Sequence, residues 1–415
     1  MYERLKRRFQ KFINVYHFIK AVLANIFYGF PSKKLKVIGV TGTDGKTTTS
    51  FLIYHILKEA GKKVSMTSSI YANIGGDEFS TGLHVTTPDV IYMQKLLKKA
   101  GDHNDEYFIL ETTSHALDQN RVAGIRFEIG VITNITSEHL DYHKTRENYV
   151  KAKAKLLLQS KKSVINRDDS SYELLFPILT NNNKEFVTYG LKNKTDYSID
   201  LNRKLNLSLA DFNNYNYLAA YTTTKLLGVQ EEEILKALKT FKLPKGRIET
   251  VYDKEFKVII DFAHTENSLR QVLKSIKRNT KGRLIHVFGA AGLRDHVKRP
   301  GMGGASGASA DVTILTEEDY RTEDPEKICI EIAAGLETQK FEKVEKELLD
   351  KTSRKKYSVI INREGAIKRA LEIATRGDVI VLTGKSHEKS LARGNREYPY
   401  NEEETVRILL DLIKA

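Results

Sequence analysis

The run Val37-Ile38-Gly39-Val40-Thr41-Gly42-Thr43-Asp44-Gly45-Lys46-Thr47-Thr48-Thr49 restricts this chain more than any other stretch. An apolar segment enters a turn punctuated by Gly42 and Gly45, and three hydroxyls then open Ser50-Phe51-Leu52-Ile53-Tyr54-His55-Ile56-Leu57, which reads as a helix. Strand, tight loop and helix N-terminus in that order make a phosphate site: glycines let backbone N–H groups close on phosphate oxygens, and the helix end adds partial positive charge. Lys46 then reaches the β- and γ-phosphates and Thr47 offers a hydroxyl to magnesium, so the stretch implies binding of a nucleoside triphosphate. The commoner motif has its first glycine where this chain has Val40; Gly42 is the nearest, and the general pattern is met in part. The alternative is an ordinary Gly-rich turn, against which stand the strand before and the helix after.

A chain of 415 residues implies two or three domains, and 40% hydrophobic content supplies well-formed cores. The single cysteine, Cys329, excludes an intramolecular disulfide and a cysteine-based zinc site, which fits a reducing, cytoplasmic compartment. No cleavable leader and no uninterrupted apolar run of about 20 residues is present. The net charge of +14 is concentrated: residues 1–36 carry nine Lys/Arg against the single acid Glu3, a local +8. A nucleic-acid binder would spread such charge over a folded face, so nucleic acid is not an expected partner.

Residues 1–35 read as a basic amphipathic helix. Phe12, Val15, Tyr16, Ile19, Val22, Leu23, Ile26 and Phe27 recur at 3/4 spacing, Arg4, Lys6, Arg7, Arg8 and Lys11 crowd the start, and Gly29-Phe30-Pro31 ends it. The apolar stripe is expected to dock on the protein's own body, the commoner fate of such stripes; the other reading is peripheral contact with an anionic membrane at its inner face. From 36 to 243, apolar strands (Val37–Val40, Tyr107–Leu110, Ile129–Ile132) alternate with helical runs such as Phe51–Ala60, predicting an α/β domain with a parallel sheet. Lys242-Leu243-Pro244-Lys245-Gly246 reads as a hinge linker. A second α/β domain over 244–415 is predicted from strands at Val258–Asp261, Leu284–Gly289, Val312–Thr316, Val359–Ile361 and Val379–Thr383.

Two clusters fall at strand ends, where open α/β sheets hold ligands. Glu111-Thr112-Thr113-Ser114-His115 follows Phe108-Ile109-Leu110, and Thr133-Asn134-Ile135-Thr136-Ser137-Glu138-His139-Leu140-Asp141-Tyr142-His143 follows Val131-Ile132. Both can face the glycine-rich loop. Magnesium favours oxygen and water, so His139 as a ligand implies a less typical ion site, and alone it reads more often as a hydrogen-bonded structural histidine.

These residues carry a resemblance. Gly-Thr-Asp-Gly-Lys-Thr-Thr, Glu-x-x-Ser-His and Glu-His-Leu-Asp-Tyr-His resemble the Mur ligase family of peptidoglycan synthesis. Five further pieces follow in the family's order: Asp211-Phe212-Asn213-Asn214-Tyr215-Asn216 with Leu218-Ala219-Ala220, Gly246-Arg247-Ile248-Glu249, Asp261-Phe262-Ala263-His264-Thr265, Lys298-Arg299-Pro300 and Gly384-Lys385-Ser386-His387-Glu388. Within the family the similarity is greatest to ligases that add the third residue to UDP-N-acetylmuramoyl-L-alanyl-D-glutamate. The resemblance implies a P-loop ATPase-like central domain, a Rossmann-like C-terminal domain, and ATP with Mg2+ as cofactors.

Carried over position by position, it implies that Gly42, Thr43, Asp44, Gly45, Lys46, Thr47 and Thr48 hold ATP phosphates, with Glu111 and His139 joining Thr47 as metal ligands. Lys153 stands where family members carry a carbamylated lysine, which would be an anionic oxygen ligand; the alternative is a solvated basic stretch with Lys151 and Lys155. Asn216 implies an adenine contact, Arg247 a phosphate contact, and Asp261 with His264 the nucleotide side of the second domain. Thr86, Thr87, Thr113, Gln119 and Arg121 match the pocket for the muramoyl-dipeptide. Arg294, Glu318, Asp319, Arg321, Gly384 and Glu388 match contacts to the incoming amino acid.

Two departures qualify these expectations. Family members begin with a domain that holds the UDP end of the acceptor, whereas here only the basic helix precedes the loop, so the acceptor is expected to be held by its muramoyl-peptide part alone, by a partner protein, or at a membrane surface through a lipid-linked form. Where ligases for diaminopimelate carry Asp-Asn-Pro-Arg, this chain has Glu318-Asp319-Tyr320-Arg321. Arg321 suits a distal carboxylate, while the added acids suit a distal ammonium, as in lysine or ornithine. The expected activity is an ATP-dependent amide ligase working through an acyl phosphate, with the second domain closing about the Pro244 hinge. The rivals are a polyglutamate or poly-amino-acid ligase, and a non-catalytic ATP-binding subunit at a membrane.

Overall fold

The structure, a computed structural model, describes residues 10–82, 86–136, 138–205 and 210–414. The N-terminal basic cluster at Arg4, Lys6, Arg7 and Arg8 lies outside them. The chain divides into two compact units, Met1–Lys242 and Leu243–Ala415.

In the first unit α1 (Gln10–Phe27) leads to β1 (Lys36–Thr41), α2 (Lys46–Glu59), β2 (Val64–Thr67), β3 (Ala72–Ile74), β4 (Asp77–Phe79), α3 (Val90–Asp102), β5 (Tyr107–Glu111) and α4 (Ser114–Asp118). Then follow β6 (Phe127–Ile132), α5 (Leu140–His143), α6 (Arg146–Gln159), β7 (Ser160–Asn166), α7 (Tyr172–Asn181), β8 (Phe186–Tyr189), α8 (Leu201–Leu205), α9 (Asp211–Leu226) and α10 (Glu231–Thr240). The strand order is β4-β3-β2-β5-β1-β6-β7-β8, parallel from β2 to β8 with β3 and β4 added antiparallel. A central parallel sheet is covered on both faces, which is why β1, β5 and β6 are near-continuous apolar runs. On one face Ile38, Val40, Ile109 and Val131 pack with Leu52, Ile53 and Ile56 of α2 and Leu218 of α9. On the other, Val37, Phe108 and Leu110 pack with Met93, Leu96 and Leu97 of α3. β5 and β6 flank β1 on its two sides, all three parallel, so their C-terminal ends lie side by side at the sheet edge where open α/β sheets hold ligands.

The second unit contains β9 (Glu249–Asp253), β10 (Lys257–Asp261), α11 (Glu266–Arg278), β11 (Leu284–Phe288), α12 (Arg299–Gly307), β12 (Val312–Leu315) and α13 (Pro325–Thr338). It continues through β13 (Glu342–Lys343), β14 (Lys356–Val359), α14 (Arg363–Ile373), β15 (Val379–Thr383), β16 (Ser390–Arg393), β17 (Arg396–Pro399) and α15 (Glu402–Lys414). Its sheet runs β13-β14-β12-β11-β15-β10-β9, with β9 antiparallel at the edge. The Arg363 guanidinium, fully buried, donates to both Glu402 oxygens at 2.8 and 2.6 Å and to the Thr383 carbonyl, which pins α14 to the start of α15.

Two sequence expectations need correction. The strand expected at Val359–Ile361 is Lys356–Val359: its register with β12 ends at Leu315↔Val359, because β12 itself ends there. The apolar stripe of α1 does not dock. Phe12, Val15, Tyr16, Ile19, Val22, Leu23, Ile26 and Phe27 are all exposed, Phe12 at 72% and Phe27 at 82%. The helix meets the body by its opposite, small-residue edge, where Ala21 and Ala24 pack with Val90 and Ala123. Asn25 Nδ2 donates to the Ala21 and Ala123 carbonyls, and Lys20 pairs with Asp89 at 2.8 Å. Small side chains let the backbones approach closely, and a contact that narrow has no room for the large ones.

Candidate active site

The loop between β1 and α2 is shaped by its glycines. Gly45, with φ +81°, caps α2 in the left-handed region, and a Cβ there would lie 2.2 Å from Asn216 Oδ1. The loop is tied to the end of β6: Asn134 Oδ1 accepts from Asp44 N at 3.0 Å, its Nδ2 donates to the Asp44 carbonyl at 3.1 Å, and Thr133 Oγ1 donates to that carbonyl at 2.6 Å. Thr43 Oγ1 lies 3.2 Å from the Tyr149 hydroxyl and accepts from Thr136 N. These bonds fix the loop's amides before any ligand arrives.

Two lysines meet at this loop. Lys46 folds back so that Nζ donates to the carbonyls of Gly42 (3.0 Å) and Thr43 (2.7 Å). Lys153, on α6, is fully buried, donates to the same Gly42 carbonyl at 2.7 Å and sits 4.6 Å from the Tyr149 ring centroid. The solvated-stretch reading is thereby overturned for Lys153, although Lys151 is exposed. Burial, and then the charge of Lys46, hold the Lys153 amine well below the usual lysine range, while Glu138 and Asp44 pull the other way. That shift favours the neutral, nucleophilic form of the amine.

Oxygen donors gather on the other flank. Thr47 Oγ1 donates to Glu111 Oε1 at 3.0 Å, and Glu111 Oε2 accepts from Ser69 N at 3.0 Å. Ser69 Oγ is 3.1 Å from Thr47 Oγ1. A hydroxyl and a carboxylate in contact are the donor chemistry magnesium prefers. Among the described residues no three His, Cys, Asp or Glu form a group that could hold a metal ion by themselves. His139, at φ +56°, heads α5 and packs its ring 4.7 Å from His115, with Nε2 3.7 Å from Glu138. His143 Nε2 bonds Ser114 Oγ at 3.0 Å, and burial lowers its pKa to about 4, so the ring is neutral at pH 7.

Beside Glu111 the proposed acceptor residues converge. Thr87 Oγ1 donates to the Glu111 carbonyl at 3.3 Å and accepts from Thr113 N at 3.0 Å, Thr113 Oγ1 caps α4 through Ala116 N, and Arg121 Nη1 donates to the Thr87 carbonyl at 3.3 Å. Gln119 follows at the C-cap of α4. Thr86 adjoins this group in sequence, and residues 83–85 before it lie outside the described residues. Thr48 is buried in the first turn of α2, and Asn216 bonds Asn213 behind the loop.

In the second unit two groups form. The Arg247 guanidinium lies 4.8 Å from the Phe262 ring, and Asp261 accepts from the amides of Ile248 and Ala263 at 2.8 Å each. Burial raises the Asp261 pKa, and Arg247 and His264 oppose that. The His264 ring bonds the Phe262 carbonyl. The second group is ionic: Lys385, fully buried, donates to Asp319 Oδ1 at 2.8 Å and to Glu388 Oε2 at 2.6 Å. Glu318 is buried beside them with Oε2 unpaired, its pKa raised by burial and then by the Asp319 charge. Gly384, at φ +101°, gives it room; a Cβ there would lie 2.6 Å from that oxygen. Arg321 donates to the carbonyls of Gly292 and Asp319. Arg294 is exposed on the loop after β11.

A profile of the Mur ligase middle domain matches residues 40–231, and one of the Mur ligase glutamate ligase domain matches 246–386. UDP-N-acetylmuramoyl-L-alanyl-D-glutamate–2,6-diaminopimelate ligase of Aquifex aeolicus is 38% identical over 93% of this chain and 80% of its own length. The chain belongs to the Mur ligase family. The same-named enzyme of Bacteroides fragilis is 36% identical, over 94% of this chain and 81% of its own. A solved structure of that ligase type aligns with TM-score 0.59 at 30% identity, covering 92% of this chain and 79% of the other. A folylpolyglutamate synthase of Mycobacterium tuberculosis aligns with TM-score 0.68 at 16% identity, over 88% and 92%, a likeness of fold alone.

In this Mur ligase three contributors escaped the sequence reading. Ser69 holds Glu111 from the loop after β2, a short strand without a clear pattern. Glu138, beside His139, is buried and acts electrostatically on both Lys153 and Tyr149. Lys385 balances Asp319 and Glu388. Only Glu138 and Lys385 had a signal, since both lie inside motifs already singled out.

Proposed function

We propose that this Mur ligase joins a diamino acid to the D-glutamate carboxylate of a muramoyl-L-alanyl-D-glutamate acceptor at the expense of ATP, in peptidoglycan precursor synthesis. The observation that carries the proposal is the loop itself: Lys46 and buried Lys153 converge on the Gly42 carbonyl, with the Thr47–Glu111 oxygen pair close by in sequence and fold. Thr43 and Asp44 shape the loop, their own amides being donated to Asn134, Gly45 and the first turn of α2 supply amides to the phosphates, and Lys46 swings from its carbonyls to the γ-phosphate. Thr47 and Glu111 would hold Mg2+, with His139 and Lys153 as further assigned ligands. The ion, when bound, offsets phosphate charge.

A glutamate carboxylate oxygen attacks the γ-phosphorus, ADP leaves, and an acyl phosphate forms. The amine then attacks the acyl carbon, the C–N bond forms, the nitrogen loses a proton, and phosphate departs with the attacking oxygen. Thr87, Thr113 and Arg121, with Thr86 and Gln119, orient the dipeptide. Asn216, Arg247, Asp261 and His264 take the nucleotide. Glu318, Asp319, Arg321, Gly384, Glu388 and Arg294 take the amino acid, and the buried, unpaired Glu318 oxygen suits a hydrogen-bond donor such as an ammonium group. Lys153 is read as a carbamate: its nitrogen, in the neutral form that burial favours, adds to carbon dioxide, a proton is released, and an anionic oxygen donor results.

The partners in this reading are small molecules, and the chemistry is cytoplasmic. A heavy-oxygen label in the side-chain carboxylate of the acceptor tests the acyl phosphate step. One labelled oxygen per turnover should appear in released phosphate; unlabelled phosphate would contradict the mechanism.

A further inference from the structure

The N-terminal helix presents a surface that the ligase chemistry does not use. Between Phe12 and Phe27 every exposed residue of α1 is a large hydrophobic one: Phe12, Val15, Tyr16, Phe18, Ile19, Val22, Leu23, Ile26 and Phe27. At 100° per residue these nine fill one half of the helix circumference, while Ala21, Ala24 and Asn25 fall on the other half, against the body. The helix is held firmly by that second half, through the Asn25 bonds to Ala21 and Ala123, the Lys20–Asp89 ion pair, and the Phe30 amide on the Asn25 carbonyl. The exposed half is therefore a fixed apolar ridge; from Phe12 to Phe27, at a rise of about 1.5 Å per residue, it is roughly 24 Å long. Single exposed hydrophobics are ordinary; a contiguous ridge of this size marks an interaction site.

Charge indicates what covers it. The helix contains no acidic residue. Lys20, the one described lysine side chain on it, is paired on the docked side. In sequence the ridge is bracketed by Arg4, Lys6, Arg7, Arg8 and Lys11 before it and by Lys33, Lys34 and Lys36 after it, with Lys33 and Lys34 exposed. Two copies packed ridge to ridge would bring basic flanks together in either orientation, parallel or antiparallel. An apolar half-cylinder with basic residues at both ends matches the boundary between the acyl chains and headgroups of an anionic bilayer. Among the described residues no helix is long and apolar enough to cross a membrane, so the element lies in the interface.

We infer that α1 is an in-plane membrane anchor, its Phe12–Phe27 ridge inserted at the headgroup level of an anionic lipid surface, and that it holds the ATP site of the first unit next to the bilayer. The inference is independent of the ligase reading, since neither the ridge nor its flanks include a residue assigned to substrate.

The test is co-sedimentation of the whole chain with phosphatidylcholine vesicles, with and without phosphatidylglycerol, at low and high salt. The wild type should pellet with anionic vesicles, less so at high salt. The double variant Ile19→Asp/Leu23→Asp should lower partitioning by at least ~10-fold, because two hydrophobic side chains of the lipid-facing ridge are replaced by carboxylates that carry the same charge as the anionic lipid. Both side chains are exposed, so its melting temperature and Mg-ATP binding should match wild type. Absence of binding at every composition would overturn the inference. So would equal binding to neutral and anionic vesicles, as would concentration-dependent dimerisation, seen by light scattering and abolished by the double variant, in place of lipid binding.

Discussion

Lys46→Ala should reduce amide formation by about 10³-fold or more, since a cation placed on charge that develops in the transition state is among the costliest groups to remove. In the structure the Lys46 ammonium already hovers over the loop, held by the carbonyls of Gly42 and Thr43, and the γ-phosphate needs only to displace those two bonds. The fold should tolerate the change. Lys46 is the first residue of α2, where alanine is a good helix former, and its side chain is only partly buried. The comparison is phosphate release per folded enzyme, with circular dichroism as the control. A variant that turns over within tenfold of wild type would remove Lys46 from the phosphate site.

Lys153→Ala should also abolish turnover, and here the informative result is rescue. Substitution removes the side chain that reaches Tyr149 and the Gly42 carbonyl, and the atoms lost match a short carboxylate in size. If the working species is a carbamate, acetate or propionate restores an anionic oxygen there and returns part of the activity. Lys153→Met keeps the volume without charge and should be inactive with or without the added acid. Rescue by carboxylate in the alanine variant and its absence in the methionine variant separate an anionic ligand from a packing role. Activity of the methionine variant near wild type would mean that Lys153 contributes only bulk.

The sequence made the central strands legible because parallel strands covered on both faces must be apolar throughout, and Val37–Val40, Tyr107–Leu110 and Val379–Thr383 all fall within observed strands. The phosphate loop was legible because its glycines and hydroxyls are chemistry as well as geometry. Burial of Lys153 was not: its neighbours Lys151 and Lys155 are polar, and only the helix's rotation against the sheet turns the middle lysine inward. Lys356–Val359 was misplaced because Lys356 and Ser358 hide a strand whose length is set by its partner β12. The stripe of α1 failed for a different reason. Periodicity reports an apolar face and does not say what will cover it, and in this protein the small residues at Ala21 and Ala24 won the contact.

The most direct test of the account is phosphate release by the purified chain with Mg-ATP and UDP-N-acetylmuramoyl-L-alanyl-D-glutamate, adding diaminopimelate, lysine and ornithine in turn. The ligase reading predicts release that requires the acceptor together with one of these amino acids, accompanied by an equal amount of amide product, and it identifies the amine that the Glu318, Asp319 and Arg321 cluster selects. Release that is indifferent to the acceptor, or none with any of the three, would contradict it.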